Sequence, residues 1–394
     1  MNLDKSRWPR VRFGDVVTLN TDRCADPVAA GIERYVGLEH IEPEDLRIRR
    51  WGLVEEGTTF TNRFRPGQVL FGKRRAYQRK VAVANFEGVC SSDIYVFEPK
   101  DDHLLPALLP FLCQTEAFYE HAVGTSAGSL SPRTNWTQLA GYEFALPPME
   151  EQRRIAELLH YLGNAISRHQ DLLYELNRMR SAITTKIAFL ATGSFRFVRE
   201  AEMSVGWKLC PLADICSDIV DCLHRTPNYT TKGFPAIRTT DVNDGELDLE
   251  GARCVALDEY ALQTSRLEPL PGDILFSREA PMGHAALVPD GVRLCISQRM
   301  MHMRCEATVD ARYLMEMLNS QFVRDQVDAF SIGSTVQHIN VADVKRLLVP
   351  VPSLEIQKNY ALRIKACRDA KVSSQERLYS MNRAKAMLLA NTLN

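Results

Sequence analysis

One unit is written twice in this chain, and the spacing of the two copies limits what it can fold into. Pro66-Gly67-Gln68-Val69-Leu70-Phe71 is answered by Pro271-Gly272-Asp273-Ile274-Leu275-Phe276, and Cys90-Ser91-Ser92 by Cys295-Ile296-Ser297. Leu146-Pro147-Pro148-Met149-Glu150-Glu151-Gln152 is answered by Val351-Pro352-Ser353-Leu354-Glu355-Ile356-Gln357. Gly67 and Gly272, Cys90 and Cys295, and Gln152 and Gln357 all stand 205 positions apart. Chance Pro-Gly turns would not keep one register over that stretch. A tandem duplication makes a pseudo-dimer inside one chain, suited to a target with approximate two-fold symmetry or two separate half-sites.

Each copy reads first as an irregular, mainly β globule. Short β-branched or aromatic runs bounded by Gly, Pro, Asn and Asp predict strands over 35–38, 68–71, 81–84 and 94–97, and over 236–238, 273–276 and 285–288. Apolar residues three and four apart predict helices over 104–121 and 311–330.

Each copy then ends in a long amphipathic helix. From Glu150 to Ala191 there is no proline, and Gly163 is the only glycine. Ile155, Leu159, Leu162, Ile166, His169, Leu173, Leu176, Arg180, Ile183, Ile187 and Leu190 alternate steps of four and three, a heptad seam broken only by His169 and Arg180. Those two polar residues are expected to set register. The second helix repeats the seam more weakly through Tyr360, Ile364, Cys367, Lys371, Ser374, Leu378, Met381, Lys385 and Leu388. Because the second globule lies between the helices, the second helix can return beside the first.

The expected fold is therefore α+β: two tandem-repeat, mainly β domains separated by two long helices that form an antiparallel coiled coil, with pseudo-two-fold symmetry. The expected boundaries are 1–149 and 194–352 for the globules, with 150–193 and 353–394 for the helices. A helix of this length is a rod of ~63 Å, a little under two turns of B-DNA at ~34 Å each. On this reading the rod is a ruler.

Composition removes several function classes. The apolar runs are too short to span a membrane, and the N-terminal Met1-Asn2-Leu3-Asp4-Lys5 has no apolar core, so a cytoplasmic protein without a signal peptide is expected. Ten cysteines include no Cys-x-x-Cys pair, which points to reduced thiols and no metal site. A net charge of −1 argues against a wholly basic coat protein. Even so, Arg63 to Lys80 holds seven Lys or Arg and no acid, a local stripe of the kind nucleic acids attract.

These features together resemble the specificity subunit of type I restriction-modification enzymes, over almost the whole chain. The resemblance rests on two variable globules, the repeated (Leu/Val)-Pro-x-(Met/Leu)-Glu-x-Gln run opening a helix, and a Gly-Ser element ahead of it. That element is Gly128-Ser129 in one copy and Gly333-Ser334 in the other. The resemblance implies that each globule is a target recognition domain reading half of a split site in double-stranded DNA. It also implies that the helices dock two methyltransferase subunits, with restriction (translocase) subunits joining the full complex. S-adenosylmethionine, ATP and Mg would sit on those partners, with no cofactor in this chain.

The residues independently lack a catalytic set. Gly67 to Arg74 falls one residue short of a phosphate-binding loop, with Arg74 where Ser or Thr would hold magnesium. Asp93, Glu98 and Lys100 suggest a nuclease triad, but Pro99 is expected to break the strand it needs.

Base reading calls for polar side chains on loops, and phosphate anchoring for cations. In the first copy the candidates are Lys73, Arg74, Arg75, Tyr77, Gln78, Arg79 and Lys80, then Ser129, Arg133 and Asn135 in a loop rich in small donors. In the second they are His224, Arg225, Arg278, His284, Gln337 and His338. Candidates for the coiled coil and for partner docking are Ile155, Leu159, Leu162, Ile166, Leu173, Leu176, Ile183, Ile187, Ile364, Leu378, Met381 and Leu388. The rival reading is a coiled-coil scaffold whose globules bind proteins rather than DNA.

Overall fold

The computed structural model describes residues 5–192, 206–331 and 338–393. The chain divides into two units, one comprising Met1–Leu172 with Ser374–Asn394, the other Leu173–Ser373. Each unit thus holds one globule together with part of both long helices, Met149–Thr192 and Leu354–Thr392.

Both globules repeat one plan. In the first unit an antiparallel sheet runs in the order Val17–Asn20, Ile94–Pro99, Val69–Gly72, Val81–Val83. In the second the order is Cys216–Asp221, Met300–Cys305, Ile274–Ser277, Ala285–Leu287. A short ribbon ties each globule's start to its end, pairing Arg10–Arg12 with Glu143–Ala145 and Lys208–Pro211 with Leu348–Val351. Gly67 (φ 89°) and Gly272 (φ 87°) follow proline in matching turns, closed by Gln68 N–H to the Arg65 carbonyl and Asp273 N–H to the Leu270 carbonyl. Glycine is needed there because the third residue of such a turn takes positive φ.

The copies diverge in their second sheet. Both keep a parallel pair, Arg34–Val36 with Gly88–Cys90 and Phe234–Ile237 with Cys295–Ile296. Only the first unit adds Asn62–Phe64 beside it; at this point in the second copy the chain forms the helix Leu257–Gln263. Trp8 and Trp207 are 199 apart while the later landmarks are 205 apart, so the second copy gains its extra residues in this region.

Three sequence expectations fail here. The helix over 104–121 is interrupted, as Leu109–Leu112 and Glu116–Gly124, because Thr115 takes an extended backbone and its hydroxyl caps Phe118 N–H. The helix over 311–330 breaks into Ala311–Leu318 and Gln321–Ser331, since the Asn319 amide bonds both the N–H and the carbonyl of Ala285. The strand near Asp93 runs through Pro99, which sits last and faces Val17, a position where a missing N–H does little harm. The nuclease constellation is instead dismantled by pairing: Glu98 accepts from Gln68, and Asp93 from two arginines.

The repeated glutamine has a clear role. Gln152 donates to the carbonyls of Pro147 (2.9 Å) and His103 (2.8 Å) and accepts from Leu105 N–H (2.7 Å). Gln357 does the same to Pro352, Thr308 and Asp310 at 2.8, 3.2 and 2.8 Å. Both are buried, so one amide staples each helix start to a preceding loop. Replacing either with Glu turns a two-proton donor into an oxygen facing two carbonyls. Gln152→Glu and Gln357→Glu should each lower stability by at least about 2 kcal/mol in urea titrations, and a loss under about 0.5 kcal/mol would refute the staple.

The helices pair within each unit as the seam requires. In the first unit Ile155, Ala156 and Leu159 share a core with Leu388, Leu389 and Leu393, so the start of one helix meets the end of the other and the pair is antiparallel. In the second, Ile183 and Ile187 share a core with Tyr360 and Ala361. Every seam position named above is buried or half-buried. His169 Nδ1 and Ser374 Oγ, equivalent positions of the two copies, meet at 2.9 Å. Arg180 behaves otherwise: it reaches Asp244 of the second globule (2.5 Å) rather than a partner helix.

Candidate nucleic-acid interface

In the first unit the two candidate loops interlock. Lys73 N–H bonds the Asp93 carbonyl, Thr134 N–H bonds the Lys73 carbonyl, and Arg75 N–H bonds the Pro132 carbonyl. Arg74 and Arg133 form a bridge between the loops, and both guanidiniums converge on Asp93, at 3.2 and 2.8 Å. Burial alone would raise the Asp93 pKa, but the bonds from Arg133 and Arg74 outweigh it and hold the carboxyl below its usual range. Arg75 and Arg79 adopt left-handed backbone (φ 55° each), which coils the loop into a short 3-10 turn around Ala76 to Gln78.

The acid-free stripe is not acid-free in space. Arg63 meets Glu87, Arg65 meets Asp22, and Arg79 meets Glu116 at 2.5 Å and Glu44 at 3.6 Å. Lys80 donates to the Leu38 carbonyl at 2.7 Å. Lys73 lies 4.5 Å from the centre of the Tyr95 ring, and burial lowers its pKa. Asn135 caps the helix Trp136–Ala140 through Thr137 N–H. What the junction presents outward is Tyr77, Ser129, Arg133 and the 90 % exposed Leu130, with half-buried Arg75 and Gln78 beside them. Leu130 and Arg23, which lies within electrostatic reach of Lys73, carried no sequence signal.

The second unit repeats the junction with different side chains. Glu279 and His338 form the bridge, 205 positions beyond Arg74 and Arg133, and Ile339 N–H bonds the Arg278 carbonyl. Glu279 pairs with Arg299 at 2.9 Å, so the local charge differs from the first copy. Two candidates turn out to be structural. Arg278 is 8 % exposed and donates to Asp221, which also meets His224 at 3.0 Å. His284 accepts from Asp244 N–H, and burial lowers its pKa. Arg225 and His224 are both exposed, and Arg225 is paired with buried Glu259. Gln337, Gly333 and Ser334 lie outside the described residues.

Asp221, Cys222 and His224 place three potential metal ligands within 4.8 Å of one another. The Arg278 guanidinium already lies against Asp221, where a metal ion would add like charge, and Cys222 Sγ accepts Arg299 N–H. All ten cysteines are free thiols, and no helix among the described residues is long and apolar enough to cross a membrane.

A family model described as the type I restriction modification DNA specificity domain matches the chain twice, over residues 5–178 and 204–378. The chain belongs to that family. It is 22% identical over 387 residues to the putative type I restriction enzyme MjaX specificity subunit of Methanocaldococcus jannaschii, covering 91% of this chain and 84% of that one. It is 26% identical over 188 residues to the Escherichia coli EcoDI specificity subunit, covering 46% of this chain and 41% of that protein. Its fold is similar to the S subunit structure from M. genitalium, with TM-score 0.64 at 14% identity over 100% of this chain and 98% of the other. It is also similar to a chain from a structure on assembly of the type I R-M system, with TM-score 0.54 at 21% identity over 98% and 97%. Membership in a family of specificity subunits disfavours the scaffold reading.

The seam residues proposed to dock partners need correction. Ile155, Leu159, Ile166, Leu176, Ile187 and Ile364 are buried within the units. They hold the helices and globules together and cannot also form an outer surface.

Proposed function

We propose that the chain is a non-catalytic specificity subunit acting in the cytoplasm. Each globule reads half of a bipartite site in double-stranded DNA, and the helices set the spacing and dock two methyltransferase subunits. S-adenosylmethionine, ATP and Mg belong to the methyltransferase and restriction partners. The observation that carries this reading is the repeated loop junction, Arg74 with Arg133 in one unit and Glu279 with His338 in the other. One frame with different chemistry is what two unlike half-sites require, because base identity is read by side-chain donors and acceptors at the groove edges.

The test is adenine-methylation mapping of DNA in cells that supply the methyltransferase, with and without this chain. A new split motif that depends on the chain is expected; an unchanged methylome with the partner shown to bind would return weight to a scaffold. A second test exploits the ion pairs. Arg75→Ala should reduce the slope of log affinity against log salt by about one, as for a lost phosphate contact. Arg79→Ala should leave that slope unchanged, since Glu116 and Glu44 already neutralise it. Equal slopes for both variants would contradict the assignment.

A further inference from the structure

Leu130 is the most exposed large apolar side chain among the described residues, and it stands on a loop that is built rather than loose. Ala127 and Arg133 exchange both of their backbone bonds at 3.0 Å, closing a hairpin whose tip is Gly128 to Pro132. Gly128 turns the chain there with φ 107°, a backbone that glycine adopts at no steric cost. Below the tip, the hydroxyls of Ser126 and Thr134 meet at 2.9 Å, and Thr134 Oγ1 also donates to the Ala122 carbonyl. Beside it, Arg75 N–H donates to the Pro132 carbonyl at 2.7 Å, and Arg74 Nη2 donates to Ser131 Oγ at 3.0 Å. Ser131 and Pro132 are half-buried, so the leucine projects from a fixed base.

The side chain contributes nothing to the fold, since it belongs to none of the apolar clusters that form the core of its unit. Its surroundings on the junction are polar: Ser129 and Arg133 are exposed beside it in the loop, and Arg75 and Gln78 are half-buried in the neighbouring one. A contact with another protein would draw on a contiguous apolar patch. One leucine among hydroxyls and cations matches a different surface. Along the major groove the donors and acceptors of the base edges are interrupted by a single kind of apolar group, the C5-methyl of thymine. A pinned tip that carries one apolar side chain is complementary to that pattern, and its rigidity spares the cost of ordering the loop on binding.

We propose that Leu130 reads the methyl group of one thymine, from the major groove, in the half-site of the first globule. This rests on the DNA-reading function proposed above and adds to it a base and the atom that identifies that base. The position 205 further on is Thr335, outside the described residues. Its hydroxyl can donate or accept where leucine cannot, so the second globule is not restricted to the same base.

Deoxyuridine tests this, because it lacks only the methyl and keeps every donor and acceptor of the base pair. Duplexes carrying the split motif found by methylation mapping are made with each thymine of both strands replaced in turn. Their affinity for the full chain with its methyltransferase is measured at one salt concentration. At one thymine of one half-site the replacement should weaken binding about 4-fold, the worth of one buried methyl. Leu130→Ala should weaken binding to the thymine duplex by at least as much and be indifferent to deoxyuridine at that position. At every other thymine it should respond as the unaltered chain does. Leu130→Met, apolar and of similar reach, should restore the response, and unchanged non-specific DNA binding by both variants shows that they are folded. If Leu130→Ala responds to deoxyuridine like the unaltered chain at every position, the proposal is overturned while the specificity reading stands. A loss on Leu130→Ala that is equal for thymine and deoxyuridine, with a bend in the duplex removed, would make the leucine a wedge between base steps and overturn methyl reading as well. If the unaltered chain prefers no split motif over non-specific DNA, the specificity reading fails and the proposal with it.

Discussion

Arg368→Ala is expected to destabilise the second unit by about 3–5 kcal/mol, the cost of stranding a buried charge. Glu316 is 2% exposed, and Arg368 is its ion partner, with Nη2 donating to Oε2 at 2.9 Å. The same guanidinium donates to the Asp244 carbonyl. Gly245 is required beside it: φ is 95°, and a Cβ there would lie 2.4 Å from Arg368 Nη2. The first copy supplies a natural control, since the positions 205 earlier are Gly163 and Phe111. There the ion pair is absent on both sides at once, and a cavity of about 620 Å³ lies between the loop at Glu44 to Arg49 and the helices, lined by Phe111, His160, Gly163 and Lys385. Exchanging only one member strands a charge, whereas exchanging both does not. Arg368→Ala combined with Glu316→Phe should therefore cost about 1–2 kcal/mol, less than Arg368→Ala alone. Urea unfolding that gives equal losses for the single and double variants would remove the ion pair from the account.

The comparison of Arg368 with Gly163 also marks where sequence reading stops. Period and turn chemistry are local, and they located what local rules govern: the Pro-Gly turns, the glutamine staples, and a seam whose positions are all buried or half-buried. The recurrence of Gln152 and Gln357 is visible in the sequence, though the carbonyls of His103 and Thr308 that they bond, 49 residues upstream, are not. Charge is where local reading misled. A run from Arg63 to Lys80 without an acid looks like an open cationic surface, yet Asp93, Glu116, Glu44, Glu87 and Asp22 are folded against it from elsewhere. By sequence alone Arg278 and His284 read as groove residues, because they sit in the loop equivalent to 72–80. One lies inward on Asp221, and the other is held against Asp244. Leu130 had the opposite fate: an apolar residue among serines gave no reason to expect 90% exposure. Helix breaks at Thr115 and Asn319 depended on a cap and on a strand edge far away in sequence.

Asp93→Ala is expected to make the first globule bind DNA more tightly and less selectively. The carboxylate holds Arg74 and Arg133 from two different loops, and removing it leaves a local gain of one positive charge with two guanidiniums released. Non-specific affinity should rise and its salt dependence steepen, because more cation is available to displace counterions. Specific recognition should suffer, since Tyr77, Ser129 and Arg133 would have to be ordered upon binding rather than beforehand. Losing one to two well-placed base contacts corresponds to a fall on the order of 100-fold in the ratio of specific to non-specific affinity. The effect should be confined to one half-site, because the second junction has Gln298 where Asp93 stands and its own pair, Glu279 with Arg299. Acidification mimics the mutation only once pH falls through the lowered folded pKa. A carboxyl with a lowered folded pKa contributes its stabilisation above the unfolded value and loses it only as pH falls through the folded one, so the clamp stays closed at neutral pH. Asp93→Asn, which preserves shape but not charge, should fall between the two. If Asp93→Ala strengthened specific and non-specific binding equally, the junction would serve only as a charge reservoir, and base reading would have to lie elsewhere on the globule.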